Sequence, residues 1–402
     1  MTCADQRQVL MSRHTISAVV LLAFLAIPLS RATAATPATN VTRHTFERQL
    51  PEGNYLVTVT FGRDDAPSET TVKAESRRLM LERVPAAAGE SPKRTFTVNI
   101  RTPALGEGKK VKLNAREDGS KTWDDQLSLE FLGDRAAVRS VDVTPAPPQT
   151  ITIYLAGDST VTDQANEPWA GWGQMLPRFF TKDVAVANHA ESGRALRSFR
   201  AEKRLDKILS TIKPGDYLFI QFGHNDMKEK GEGVGAFTSY KTDLKKYIAV
   251  ARERGAYPVV VTSMHRRRFD ENGKIVNTFG DYIEAARQAA AEEKTPLIDL
   301  NAMSEKLYEA WAPEQSTKAF VHYPADTFPG QDKPLKDDTH HNVYGAYELA
   351  RCVVECIRAA KLPLADHLTE DVGPFDPATP DPIETFNVPA SPARTSKVPE
   401  GR

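Results

Sequence analysis

The sequence predicts an α/β fold built on a parallel sheet, preceded by an all-β domain. Three observations carry this. Residues about 43 to 143 alternate apolar and polar side chains with the period of two that a half-buried strand requires. From Ile151 onward, short apolar runs alternate with longer helical stretches. Between them, Thr144-Pro145-Ala146-Pro147-Pro148-Gln149 has the composition of a linker. The expected boundaries are a β-sandwich over 41–144, a linker over 145–150 and the α/β domain over 151–370.

In the first region the alternation runs through Tyr55, Val57 and Val59, through Phe96, Val98 and Ile100, and through Val111 and Leu113. It continues with Leu127, Leu129 and Phe131, and less regularly with Val138, Val141 and Val143. Pro51-Glu52-Gly53, Gly106-Glu107-Gly108 and Asp118-Gly119 supply turns between them. Short strands at this spacing suggest a sandwich. In the second region the candidate strands are Ile151–Ala156, Val184–Ala187, Tyr217–Phe222, Val259–Thr262 and Leu297–Leu300. The helical stretches include Ser198–Ile212, Thr238–Arg254, Asp281–Glu293 and Tyr344–Ala360. In the last, Leu349, Val353, Cys356 and Ile357 share one face. Repeated βα units argue for a parallel sheet covered on both faces, with function at the carboxyl ends of its strands.

The two ends read differently. Arg13 and His14 precede the apolar run Ala18–Leu29, and the small residues Ala32-Thr33-Ala34 follow. This is the pattern of an export signal over 1–34, with an uncleaved anchor as the alternative. A secreted protein, periplasmic or extracellular, is expected. From Asp371 to residue 402 the chain is rich in Pro, Asp and Ser, and a disordered tail is expected there.

Composition excludes some classes. The 402 residues carry 52 Lys+Arg against 53 Asp+Glu, so no global attraction to nucleic acid or an anionic membrane is expected. Cys3 lies in the signal. Cys352 and Cys356, four apart on a helix, are poorly placed for a disulfide and read as small buried residues.

The chemistry sits at strand ends. The first α/β strand ends in Gly157-Asp158-Ser159-Thr160, placing a serine at the crevice. The second runs on to Ser192-Gly193-Arg194, where glycine lets backbone N–H groups approach a ligand closely. The third ends in Gly223-His224-Asn225-Asp226, whose Asn225 can donate to an oxyanion. Taken singly, each also fits an ordinary turn. Before the last helix stands Asp337-Asp338-Thr339-His340-His341-Asn342. In a turn, Asp337 can accept from His340 Nδ1–H and leave Nε2 for a serine proton. The rival reading is a metal site from Asp337, Asp338, His340, His341 and His322. No HExxH or Cys/His spacing accompanies it, so no metal or other cofactor is expected.

In their joint order these blocks resemble the SGNH (GDSL-type) hydrolase superfamily over about residues 151 to 362, with Ser159, Gly193, Asn225 and His340 in the four eponymous positions. There is no G-x-S-x-G elbow of the α/β-hydrolase kind. Gly157–Val161, Gly171-Trp172-Gly173-Gln174, Gln221–Asp226, Arg266-Arg267-Arg268-Phe269, Pro296–Leu300 and Asp337–His340 further resemble rhamnogalacturonan acetylesterases. The resemblance implies a flavodoxin-like three-layer αβα fold and a serine esterase removing O-acetyl groups from pectic polysaccharide. Ser159, Asp337 and His340 would be the catalytic set. The oxyanion hole would come from Ser159, Gly193 and Asn225. His341 stands where relatives often carry an aromatic or small residue. His224, Arg266, Arg267 and Arg268 are candidates for substrate contact, since Arg binds carboxylates bidentately; a solvated charge run is the alternative. The preceding domain resembles galactose-binding-like sandwiches. There Trp123 is a sugar platform or, the better fit, a core residue. An esterase for another acetylated glycan such as xylan, a lipase or thioesterase, and a non-catalytic carbohydrate-binding protein are the competing readings.

Overall fold

A computed structural model of the chain describes residues 44–397; the expected signal lies outside them. Among the described residues no helix is long and apolar enough to cross a membrane. The chain opens with β1 (Thr45–Gln49), β2 (Gly53–Phe61), β3 (Ser68–Ala74), β4 (Arg78–Ala86), β5 (Lys93–Ile100), a small hairpin of β6 (Ala104–Gly106) and β7 (Lys109–Lys110), β8 (Gln126–Leu132) and β9 (Val138–Pro145). These form antiparallel sheets in the orders β1-β8-β3-β4 and β5-β2-β9. Phe46, Val57, Val59, Val72, Met80, Phe96, Leu129 and Val141 join the two in one apolar core. Strands β3 and β4 carry no alternation that announces them. Thr70, Thr71, Lys73, Arg77 and Arg78 are nonetheless buried, because the rest of the molecule covers them.

The α/β part contributes β10 (Ile151–Gly157), β11 (Val184–Asn188), β12 (Tyr217–Gln221), β13 (Tyr257–Val261) and β14 (Leu297–Ile298). They pair in parallel in the order β11-β10-β12-β13-β14, the flavodoxin-like arrangement. The helices are α1 (Trp172–Met175), α2 (Leu196–Ala201), α3 (Arg204–Thr211), α4 (Lys241–Glu253), α5 (Tyr282–Glu292), α6 (Leu300–Gln315) and α7 (Val343–Ala359). Side chains alternate across β10. Ile153 and Leu155 pack with residues of α1, α6 and α7, while Tyr154 and Ala156 pack with α2 to α5. The sheet is therefore the middle of three layers. A hairpin of β15 (Phe320–Tyr323) and β16 (Leu335–His341) precedes α7.

Some expectations are corrected. Ser198–Ile212 is not one helix: it breaks between α2 and α3, where Lys203 is left-handed at φ 63°. Helix α6 was not among the expected stretches; its apolar and polar residues are mixed around a Pro-containing end. The segment 371–397 is not a disordered tail. Phe375 is buried, and Phe386 packs edge-on against Tyr347. Ser391 is fully buried, its N–H donating to Glu167 and its hydroxyl to Glu130. A few well-placed anchors hold a strand-free segment that composition alone marks as unstructured. Cys352 and Cys356 are free thiols, the first buried.

Candidate active site

Strand β10 ends at Gly157, and Ser159 follows in the turn beyond it. The site is assembled by loops that lean on this turn. Glu191 N–H donates to Gly157 O (3.1 Å) and Trp172 N–H to Thr160 O (3.0 Å). The Trp172 indole donates to Gln221 Oε1 (2.7 Å), and Gln221 Nε2 donates to Thr160 Oγ1 (2.8 Å). This explains the Gly171-Trp172-Gly173-Gln174 block. A Cβ on Gly173 would come within 2.5 Å of Val161 O and 2.6 Å of Leu155 Cδ1, so α1 approaches the serine loop only without a side chain there.

Ser159 Oγ and His340 Nε2 are 2.8 Å apart, and His340 Nδ1 lies 2.8 Å from Asp337 Oδ2. All three residues are buried. In a regular strand, residues three apart point to opposite faces. Here the β15–β16 register slips: Phe320 pairs with His341, but Val321 pairs with Asp337, so 338–340 bulge outward. The N–H groups of Thr339 and His340 turn back onto Asp337 Oδ1 at 3.0 and 3.1 Å. The bulge is what lets Asp337 reach His340, and such irregularities re-aim side chains beside sites. Burial alone raises the Asp337 pKa. The bond from the His340 ring and the two amides outweigh it and hold the carboxyl well below the usual range.

Gly193 has φ 77°, a left-handed turn, next to Arg194. Asn225 Nδ2 donates to Arg194 O (3.2 Å), and Leu196 N–H donates to Asp226 Oδ1 (3.0 Å). The glycine loop and the β12 loop are thus tied together. Gln164, which the sequence did not single out, ties them to the nucleophile: its Nε2 donates to Ser159 O at 2.9 Å and lies 3.4 Å from Ser192 Oγ. Asp158 faces inward. It accepts from Thr160 N–H and hydroxyl at 3.0 and 2.8 Å. Burial opposes its charge, but His224 beside it and the Thr160 donors keep the carboxyl low.

The candidate substrate contacts divide. His224 is not placed to touch substrate: both ring nitrogens are sealed from solvent, with Nδ1 3.4 Å from Asp158 Oδ2 and Phe279 against its edge. Arg267 is committed elsewhere, to Asp338 Oδ1 (2.9 Å), Ser316 Oγ (3.0 Å) and the Pro313 carbonyl (2.5 Å). Arg266 donates to Thr278 Oγ1 (3.0 Å) and lies over the Phe279 ring. Arg268 is exposed. The residues of the rival metal reading also part company. Asp338 bonds His322 Nε2 and His341 Nε2 bonds Tyr308 OH, each at 2.8 Å. His341 packs on Phe320 as an aromatic would. Trp123 is buried, donating to Glu117 with Arg101 over its face.

A serine, an imidazole and a carboxylate in line, beside a loop glycine and an amide, form the arrangement that attacks and hydrolyses an ester. Comparison with known proteins agrees. The model of the GDSL-like Lipase/Acylhydrolase family matches residues 155–345. Rhamnogalacturonan acetylesterase RhgT of Bacillus subtilis is 44% identical over 225 residues, which are 56% of this chain and 96% of that protein. The uncharacterized esterase YxiM of the same organism is 30% identical over 317 residues, covering 78% of this chain and 73% of its own. That span is longer than residues 151–370. The crystal structure of YxiM covers 79% of this chain and 81% of its own at 28% identity, with a TM-score of 0.49.

Proposed function

This chain belongs to the GDSL-like lipase/acylhydrolase family and is a carboxylic ester hydrolase resembling rhamnogalacturonan acetylesterases; from that premise we propose that it is a secreted serine esterase that deacetylates rhamnogalacturonan. The observation that carries the reaction is the unbroken line from Ser159 Oγ through His340 to Asp337. His340 Nε2 takes the Ser159 proton as Oγ attacks the acetyl carbonyl. Asp337 fixes the imidazole tautomer and stabilises the imidazolium. The N–H groups of Ser159 and Gly193, with the Asn225 amide, receive the oxyanion. His340 returns its proton to the leaving sugar oxygen. Water, deprotonated by the same imidazole, then attacks the acetyl-enzyme and releases acetate. The 44% identity to a rhamnogalacturonan acetylesterase supports the choice of glycan.

The test is acetate release from acetylated rhamnogalacturonan, homogalacturonan and xylan, beside p-nitrophenyl acetate, with Ser159→Ala as control. Ser159-dependent release highest on rhamnogalacturonan is expected. Release from xylan alone, or only from the nitrophenyl ester, would remove the pectic assignment and keep the esterase.

A further inference from the structure

Beside the serine loop lies a cavity of about 250 Å³ whose walls come from both parts of the molecule. The sandwich side supplies Ser120 and Thr122; the α/β side supplies Asn166, Trp169, Glu191 and Ser192. Pockets for drug-sized molecules run to roughly 300–1,000 Å³, so this one suits a single sugar ring. It shares a wall with the reaction centre: Gln164 lines it while holding the Ser159 carbonyl, and Ser192 precedes Gly193.

We infer that this cavity is a subsite for one neutral, hydroxyl-rich sugar ring of the glycan chain, half of it built by the sandwich. The inference rests on the reading of the substrate as an acetylated glycan. The wall offers hydroxyls, two amides, three carboxylates and the Arg116 guanidinium, a mixture of donors and acceptors that ring hydroxyls match. Charge balance on the wall suits a neutral ring. Asp163, Glu117 and Glu191 line the cavity, paired with Arg78 (2.6 Å), Arg204 (2.5 Å) and Arg116 (2.5 Å). Each of those arginines, Arg116 on the wall included, is already held by a carboxylate, so a uronate entering here would have to compete for a taken partner, while Lys397 stands exposed at the rim.

The test is calorimetric binding of unacetylated oligosaccharides to the full-length protein, which needs no turnover. Oligomers alternating rhamnose and galacturonate should bind at least about tenfold tighter than oligogalacturonates of equal length. Ser120→Trp, which fills the cavity from a half-buried turn, should weaken binding about tenfold or more while the melting temperature stays put. Asn166→Ala should weaken it roughly fivefold, the value of one hydrogen bond, and carries the test if the tryptophan variant does not fold. Affinity equal in wild type and both variants, or no binding at all, overturns the subsite. Oligogalacturonates bound as tightly, and lost equally in the variants, overturn its neutral character. Cavity-dependent binding without acetate release from rhamnogalacturonan would remove the acetylesterase reading and leave the subsite standing.

Discussion

The side chains doing the chemistry act at fixed distances, so single substitutions read them directly. Ser159→Ala should lower kcat on p-nitrophenyl acetate by at least about 10⁴-fold, and Asp337→Asn by about the same factor through the wrong imidazole tautomer. Asn225→Ala should cost roughly 100- to 1,000-fold, about 3–4 kcal/mol, with KM little changed; a loss below tenfold would take Asn225 out of the oxyanion hole. His341 gives a pH signature instead. Burial first, then the His340 and His224 charges, push its pKa down to about 3. The unfolded chain takes up its proton below about pH 6.5, while the folded chain stays neutral down to about 3. Stability is therefore lost as pH falls through that window, by up to about 1.4 kcal/mol per pH unit. In His341→Gln, melting temperatures measured between pH 7 and 4 should fall less steeply than in wild type. Ser159, Asp337 and His340 were legible in the sequence because each sits at a strand or hairpin end in a fixed order. Gln164 was not: a glutamine five residues past a serine acquires its role only when the 188–193 loop folds over it. The partner of Arg267 was not legible, since nothing local shows that Asp338 waits 71 residues away.

The elements that aim these side chains show where local patterns suffice. Strands β10 to β13 were readable from continuous apolar runs, as strands buried on both faces must be. The bulge in β16 was not, because it depends on pairing with β15. Helix α1 is too short to hold itself together; it persists because Trp172 and Gln174 are bonded at both ends, Gln174 to Ser76 O (2.6 Å) and Gln164 O (2.9 Å). Gly173→Ala should thus destabilise the protein by about 1–3 kcal/mol, the range for overpacking, seen as a lower urea midpoint. It should also reduce kcat, since the displaced atoms belong to the serine loop. Unchanged stability would mean that the loop yields without strain.

Across the whole molecule, the sandwich is riveted to the catalytic part by buried charge. Arg77 donates to the carbonyls of Gln164 and Trp169, both at 3.0 Å. Arg78 meets Asp163 at 2.6 Å, and Asp163 also accepts from Asn188 (2.8 Å). Adjacent arginines at the start of a strand look like an exposed basic patch, and only partners more than eighty residues on reveal otherwise. Removing one member of a buried pair strands its partner. Arg78→Ala should lower unfolding free energy by about 3–5 kcal/mol in urea titrations and reduce turnover of even the smallest ester; a loss under 1 kcal/mol would show that the two parts stand independently. The segment around Ser391 reaches both parts as well. Lys73 of the sandwich donates to Pro389 O and Ser391 Oγ, while Glu167 N–H donates to Ala393 O and Thr395 N–H to Glu167 O. That strap follows in chain order every element it joins. During synthesis, sandwich and sheet emerge first and can fold as units, yet Glu167, which Arg77 already pairs, gains its bonds to Ser391, Ala393 and Thr395 only when residues 389–395 leave the ribosome. The nascent chain therefore lacks these last bonds between its two halves until synthesis has passed that point, and a ribosome stalled before it holds a protein that has its nucleophile but not its clasp.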